Sequence, residues 1–264
     1  MQIDIYQVDA FASRPFEGNP AAVCPLESWL PDGLMQSIAA ENNLSETAFF
    51  VPEGDRFRIR WFTPAAEVEL CGHATLASAF VLFNCLEAAD DTVVFDSQSG
   101  LLPVTKEGDR IVLDFPAQPP EVCRTPVEIR EAFGMEPVEC LQSADLVVVF
   151  EHANQVRSAQ PDIATLAKLQ ARGIIITAAD DEYDFISRFF APAVGIPEDP
   201  VTGSAHTQLV PYWSKKTGKT HFHAKQVSAR GGELFCELVG DRVRIGGSAI
   251  KYLEGSIEVD PSKY

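Results

Sequence analysis

The strongest constraint on what this chain can fold into is an internal echo. WFTPAAEVELCGHATLASAFVLF in the first half matches FFAPAVGIPEDPVTGSAHTQLVPYW in the second: a strand ending in aromatics, a Pro-Ala pair, an acidic turn, then Gly-x-Ala opening a helix. Pro64-Ala65 and Pro192-Ala193 lie 128 positions apart and Gly72 and Gly203 lie 131 apart, so the copies agree to within a three-residue insertion. Self-similarity at one long offset is the mark of a duplicated unit. It predicts two similar halves. The segment FPAQPPEVCRTP (115–126) supplies a linker between them, because its prolines lack N–H donors and fix φ. The expected division is an N-terminal lobe over 1–116 and a C-terminal lobe over 117–264.

Short alternating or β-branched runs, among them MQIDIYQVDAF, TAFFV, FRIRWF, TVVFDS, RIVLDF, DLVVVFE, GIIITA and RVRIGG, read as strands. Helical patterns are few and fall near 30–42, 72–86, 161–172 and 203–217. Many strands, few helices and no regular strand–helix alternation make the fold class α+β.

Charge narrows the partners. With 38 acidic against 21 basic side chains the net charge is -17, which repels a nucleic-acid backbone and an anionic membrane surface. The N-terminus shows no basic-then-apolar leader, and no apolar run approaches the roughly 18 residues of a membrane span. The expectation is a cytoplasmic protein that touches neither polymer. Six scattered cysteines without a CxxC pair read as small buried hydrophobes. His221 and His223 share a strand face but have no evident third ligand, so no metal is expected. An anionic substrate would need positive potential from some source other than scattered Lys and Arg.

The repeat offers such a source. A helix begins with unpaired N–H groups and a positive dipole end, and glycine there lets an anion come close. Gly72 and Gly203 either serve that purpose as a pair or merely permit tight strand-to-helix turns. His73, alone among five histidines at such a mouth, could donate to a substrate or pass a proton near neutral pH; the plainer reading is a core histidine bonded to a backbone carbonyl. Asp199 and Ser204, around the second mouth, read individually as ordinary caps. In LSETAFFV a strand would put Leu44, Glu46, Ala48 and Phe50 on one face. A glutamate among apolar neighbours has its charged form disfavoured and is suited to take and return a proton; a salt-bridged glutamate is the alternative.

VDAF with GNPAAV, LSETAFF, FTPAAEVELCGHATLA, SGLL, VLDFPAQPP, EDPVTGSAH and RIGGSAIKYLEG together resemble the PhzF-like family of phenazine-biosynthesis isomerases, within the diaminopimelate epimerase-like superfold. The resemblance runs nearly end to end. It implies two similar lobes, each a β-sheet wrapped around a central helix, with the active site in the cleft between them. It also implies an isomerase that moves a proton within a small carboxylated, cyclic or unsaturated metabolite, without metal or organic cofactor, as a homodimer. By position it assigns the catalytic roles to Glu46, His73, Asp199 and Ser204, and substrate contacts to Asn19, Gly72 and Gly203. Epimerases of the superfold use a cysteine ahead of each glycine; here Cys71 stands in the first place and Thr202 in the second. A hydroxyl is too weak an acid to replace that thiol. A glutamate-driven isomerase therefore ranks above a two-cysteine racemase. An epimerase using Cys71 with Glu46, or a binding protein without chemistry, are the alternatives.

Overall fold

The computed structural model describes residues 1–260. Its contacts divide the chain into two compact units, Met1–Asp114 with the chain from Gly246 onward, and Phe115–Ile245.

The first unit opens with β1 (Gln2–Ala10), β2 (Asn19–Pro25), α1 (Asp32–Asn42), β3 (Glu46–Glu53), β4 (Arg56–Phe62) and β5 (Glu67–Val68). It continues through α2 (Gly72–Asn84), β6 (Thr92–Ser97), β7 (Gly100–Glu107) and β8 (Arg110–Pro116), the strand in which the chain passes to the second unit. β1 runs antiparallel to β2 and β2 parallel to β3 across α1. β3 and β5 are antiparallel to β4, and β6 is parallel to β4 across α2 and antiparallel to β7.

The second unit holds β9 (Glu121–Val122), α3 (Val127–Phe133), β10 (Glu139–Gln142), β11 (Leu146–Val149), α4 (Ala153–Arg157), α5 (Ile163–Leu166) and β12 (Ile174–Ala178). β13 (Phe185–Ala191), β14 (Ile196–Asp199), α6 (Gly203–Thr217), β15 (His221–Gln226), β16 (Gly232–Val239) and β17 (Arg242–Gly247) follow, before β18 (Ala249–Glu258) returns to the first unit as the antiparallel neighbour of β1. Here β10 is antiparallel to β11, and β11 parallel to β12 across α4 and α5. β12 and β14 are antiparallel to β13, and β15 is parallel to β13 across α6 and antiparallel to β16. Strand for strand, β1–β7 and β10–β16 repeat one pairing scheme. The echo read in the sequence is a duplicated fold.

Each copy is built around its helix. In α2 ten residues from His73 to Phe83 are buried, and the helix packs on β1, β2, β3 and β18. A helix apolar around its circumference has to be enclosed; its small Ala74, Ala77, Ser78 and Ala79 let strands approach from several sides. Helix α6 is buried along Gly203, Ala205–Val210 and Tyr212–Trp213, where the Trp213 indole donates to Thr177 Oγ1 of β12 at 3.1 Å. No helix among the described residues is long and apolar enough to cross a membrane.

Three expectations change in detail. Residues 246–260 pack with the first unit rather than belonging to a lobe that runs from 117 to the end, because β18 pairs with β1. The segment 115–126 is no free linker: Ala117 N donates to Asp241 O at 2.8 Å, Gln118 N to Thr207 O at 2.9 Å, and β9 lies within it. The helix read over 161–172 is one turn, Ile163–Leu166, capped by Asp162 accepting from Ala164 N. Arg172, at the end of that pattern, is drawn instead into a two-point ion pair with buried Asp145.

His206 illustrates what burial inside α6 demands. Its Nδ1 lies 2.9 Å from Thr202 O, its ring stacks on Phe185 at 5.9 Å, and its buried Nε2 has no hydrogen-bond partner. Protonation would add an N–H with no acceptor, and burial accordingly lowers this imidazole to about 4, against a small opposing effect of the Thr202 carbonyl. A histidine lowered on folding is protonated more readily in the unfolded chain, so its stabilising effect is complete above the unfolded pKa near 6.5 and is lost as pH falls toward 4. This loss should reach about 3 kcal/mol by pH 4. Urea unfolding of wild type and His206→Gln at pH 7.5 and 4 should show the wild type losing that much more; equal losses would refute the assignment.

Candidate functional site

In the first unit the sequence candidates converge. Glu46 is the first residue of β3, pairing in parallel register with Ala21 of β2, whose first residue is Asn19; His73 is the second residue of α2. His73 Nε2 approaches Glu46 Oε2 to 3.1 Å. At the other ring nitrogen, Asn19 Nδ2 lies 3.3 Å and Cys71 Sγ 3.5 Å from Nδ1, and Ser45 Oγ donates to Asn19 Oδ1 at 3.2 Å. The side chains are almost closed to solvent, His73 at 7% and Glu46 at 12%.

At 3.1 Å, His73 Nε2 and Glu46 Oε2 face each other inside the protein, and no other group partners either atom. The apolar surroundings expected of Glu46 thus include an imidazole, and the plain reading of His73 as carbonyl-bonded belongs instead to His206. Burial works against a charge on His73, but Cys71 and Glu46 outweigh it and hold the ring well above its ordinary 6.5. Burial, reinforced by Glu46, pushes the Cys71 thiol up.

Helix α2 starts without the usual devices: its N-cap Cys71 makes no side-chain cap and its first turn carries no acidic residue. Helix α6 starts the same way at Thr202 and Gly203. Asp162 at the start of α5 shows that this chain caps helices where it needs to. Around this second start Asp199 and Ser204 both have side-chain partners. Thr202 Oγ1 donates to Asp199 Oδ2 in a short bond. Ser204 Oγ accepts from Arg172 Nη2 at 3.4 Å, and the guanidinium is held by Asp145 at 2.9 and 2.6 Å.

Two supports in this second region escaped the sequence reading. Gln226 of β15 is fully buried and accepts from Thr202 N at 2.9 Å while donating to Asp199 O at 2.8 Å and Thr202 Oγ1 at 3.2 Å. Gln208 donates to Asp145 Oδ2 at 2.7 Å and accepts from Asp145 N at 3.0 Å. Both partners are distant in sequence, and nothing local marks these glutamines; only their apolar neighbours, in KQV and TQLV, hinted at burial.

Among the described residues, Glu46, Cys71 and His73 form a set whose ligand-type atoms lie within 4.8 Å of one another. Within it the Cys71 thiol lies 3.5 Å from Nδ1 and the Glu46 carboxylate 3.1 Å from Nε2 of the same ring. His221 and His223 each face their own carboxylate, Glu237 at 3.1 Å and Glu233 at 2.9 Å.

Comparison with known proteins shows which family the chain resembles. Residues 8–255 match the family model described as phenazine biosynthesis-like protein, PhzC-PhzF. A Pseudomonas aeruginosa protein described as an uncharacterized isomerase is 54% identical over 260 residues, 98% of this chain and 100% of that one. A crystal structure of a PhzF family phenazine biosynthesis protein from Enterococcus faecalis superposes with a TM-score of 0.96 at 49% identity, over 98% of this chain and 100% of that one. A hydroxyproline epimerase from Agrobacterium vitis shares the fold alone, with a TM-score of 0.62 at 9% identity over 97% of this chain and 92% of that one.

Removing the carboxylate charge next to His73 tests the electrostatics directly. In Glu46→Gln the imidazole should titrate at lower pH than in wild type, because one of the two groups opposing burial is gone. The midpoint is read from the His73 ring resonances by NMR. An unchanged midpoint would mean that the pair does not interact.

Proposed function

The chain belongs to the PhzC-PhzF family of phenazine biosynthesis-like proteins, and from that premise we propose that it is an isomerase that moves a proton within a small carboxylated metabolite, with Glu46 as general acid and base. One observation carries the reading: a carboxylate and an imidazole, almost closed to solvent and 3.1 Å apart, lie at the start of a helix whose N-cap side chain makes no capping bond. Glu46 removes a proton from carbon and returns it to another carbon of the same substrate. His73, raised toward its charged form, sets positive charge beside the electron density that the departing proton leaves. Asn19 and the amides near Gly72 orient the substrate. The family resemblance adds Asp199, Ser204 and the amides at Gly203 as further contacts to its carboxylate, and a homodimer as the working form. The chemistry so described asks for no cofactor.

A second reading has one observation in its favour: Cys71 Sγ is 3.5 Å from His73 Nδ1, so a thiol and a carboxylate flank the same ring. An epimerase would remove a proton with one and return it with the other. Against it, burial and Glu46 hold the Cys71 thiol up, where it is slow to give the thiolate a base requires.

Incubation with pools of small carboxylic acids in heavy water distinguishes these readings. The isomerase should place deuterium on a carbon that shifts a double bond. Glu46→Gln should slow that exchange by about 100-fold or more, and Cys71→Ala should spare it. Exchange with inversion at a single carbon, lost in Cys71→Ala, would favour the epimerase. Tight ligand binding with no exchange, unaltered in Glu46→Gln, would leave a binding protein.

A further inference from the structure

We propose that Cys123 and Cys140 form an oxidisable dithiol site, a pair of neighbouring thiols that closes to a disulfide under mild oxidants such as a glutathione disulfide. This stands apart from the acid–base reading above. Strand β9 pairs with β10 antiparallel with Val122 opposite Leu141 and Glu121 opposite Gln142, and the same register carried one position further sets Cys123 opposite Cys140. Cys123 N donates to Cys140 O at 2.9 Å. A directly opposed, hydrogen-bonded antiparallel pair has its Cα atoms about 5.5 Å apart, inside the span of about 4.4–6.8 Å that disulfides use. The two sulfurs are already 3.8 Å from each other, so closure to a bond of about 2.05 Å draws them together by roughly 1.8 Å.

The two thiols differ in burial, and the step that closes the bond is the slower one because it needs the Cys140 thiolate. Cys140 is buried, 2% exposed, and burial together with the adjoining Cys123 pushes its thiol up to about 12. Cys123 is half-buried and is the sulfur an oxidant in solution can reach. Its thiolate attacks one sulfur of glutathione disulfide, forming a mixed disulfide and releasing one glutathione. Cys140 then gives up its proton, attacks the Cys123 sulfur and expels the second glutathione. Two protein thiols and one glutathione disulfide become one protein disulfide and two glutathione thiols; the protein loses two electrons and the reagent gains them.

The consequence is local. The bond would close a loop over the 16 residues between the two cysteines, which include α3 (Val127–Phe133), and would fasten a strand only two residues long to its neighbour. Restricting a loop of that length in the unfolded chain is stabilising.

The test uses the full chain. After treatment with glutathione disulfide, quenching with N-ethylmaleimide and unreduced tryptic digestion, mass spectrometry should find peptide 111–124 joined to peptide 131–157, two hydrogens lighter than their sum. The Tm of the oxidised protein should stand several degrees above that of the reduced form and fall back with dithiothreitol. Cys123→Ser, at the half-buried position, should fold and show neither effect, while Cys85, the other half-buried cysteine, should remain alkylated throughout. Maleimide on both Cys123 and Cys140 after oxidation, a glutathione adduct on Cys123 that never resolves, or a disulfide involving another cysteine in their place would overturn the proposal.

Discussion

Helix α2 has no face left for solvent, and much of the first unit follows from that. A strand arrangement has to enclose it, and the polar groups at its start are then removed from water along with the apolar ones. Thr75 and Ser78 solve this locally, by donating back to the carbonyls of Cys71 at 2.6 Å and Ala74 at 2.8 Å. His73 has no such local exit, because its ring projects from the first turn toward the start of β3. Enclosure of the helix thus produces, at one place, the desolvated acid and base on which the proposed chemistry turns.

The same logic explains what could be read from the sequence. The repeat, the helix starts at Gly72 and Gly203, and the strand bearing Glu46 are local patterns, and local patterns are carried by composition and spacing. The short α5 and the bonded segment 115–126 were illegible because distant residues decide them: Asp145 takes Arg172, while Thr207 and Asp241 accept from backbone amides of the proline-rich stretch. Gln226 and Gln208 belong to the same class. A glutamine is polar on any scale, and only the turn or carboxylate it serves, 24 or 63 positions away, reveals that it is buried and fully used. The cysteines divide likewise, since most are buried as expected but the apposition of Cys123 with Cys140 depends on strand register.

Net charge seemed to work against an anionic substrate. At physiological salt, exposed charges are screened over about 8 Å, so a total of -17 spread over the surface says little about any one buried spot. What matters in the first unit is the immediate supply of donors: the amides at the start of α2 and an imidazole raised toward its charged form. Such groups are desolvated or anchored, and their influence is screened much less than that of surface lysines.

The two buried histidines make the point quantitative in sign if not in size. His73 and His206 both sit in the first turns of enclosed helices, and burial acts on both to disfavour charge. His206 has only a carbonyl and an aromatic ring for company, so burial prevails and the ring stays neutral. His73 has a carboxylate at one nitrogen and a thiol near the other, and their combined attraction reverses the outcome. Burial by itself therefore does not make a reactive residue in this fold; it amplifies whatever stands next to it. The duplication supplied two enclosed helices, and the difference between them lies in their neighbours: Glu46 and Cys71 beside one, Thr202, Gln226 and a closed set of hydrogen bonds beside the other. At position 202 the chain has a hydroxyl where position 71 has a thiol; the hydroxyl is the weaker acid and serves as a fixed donor for Asp199.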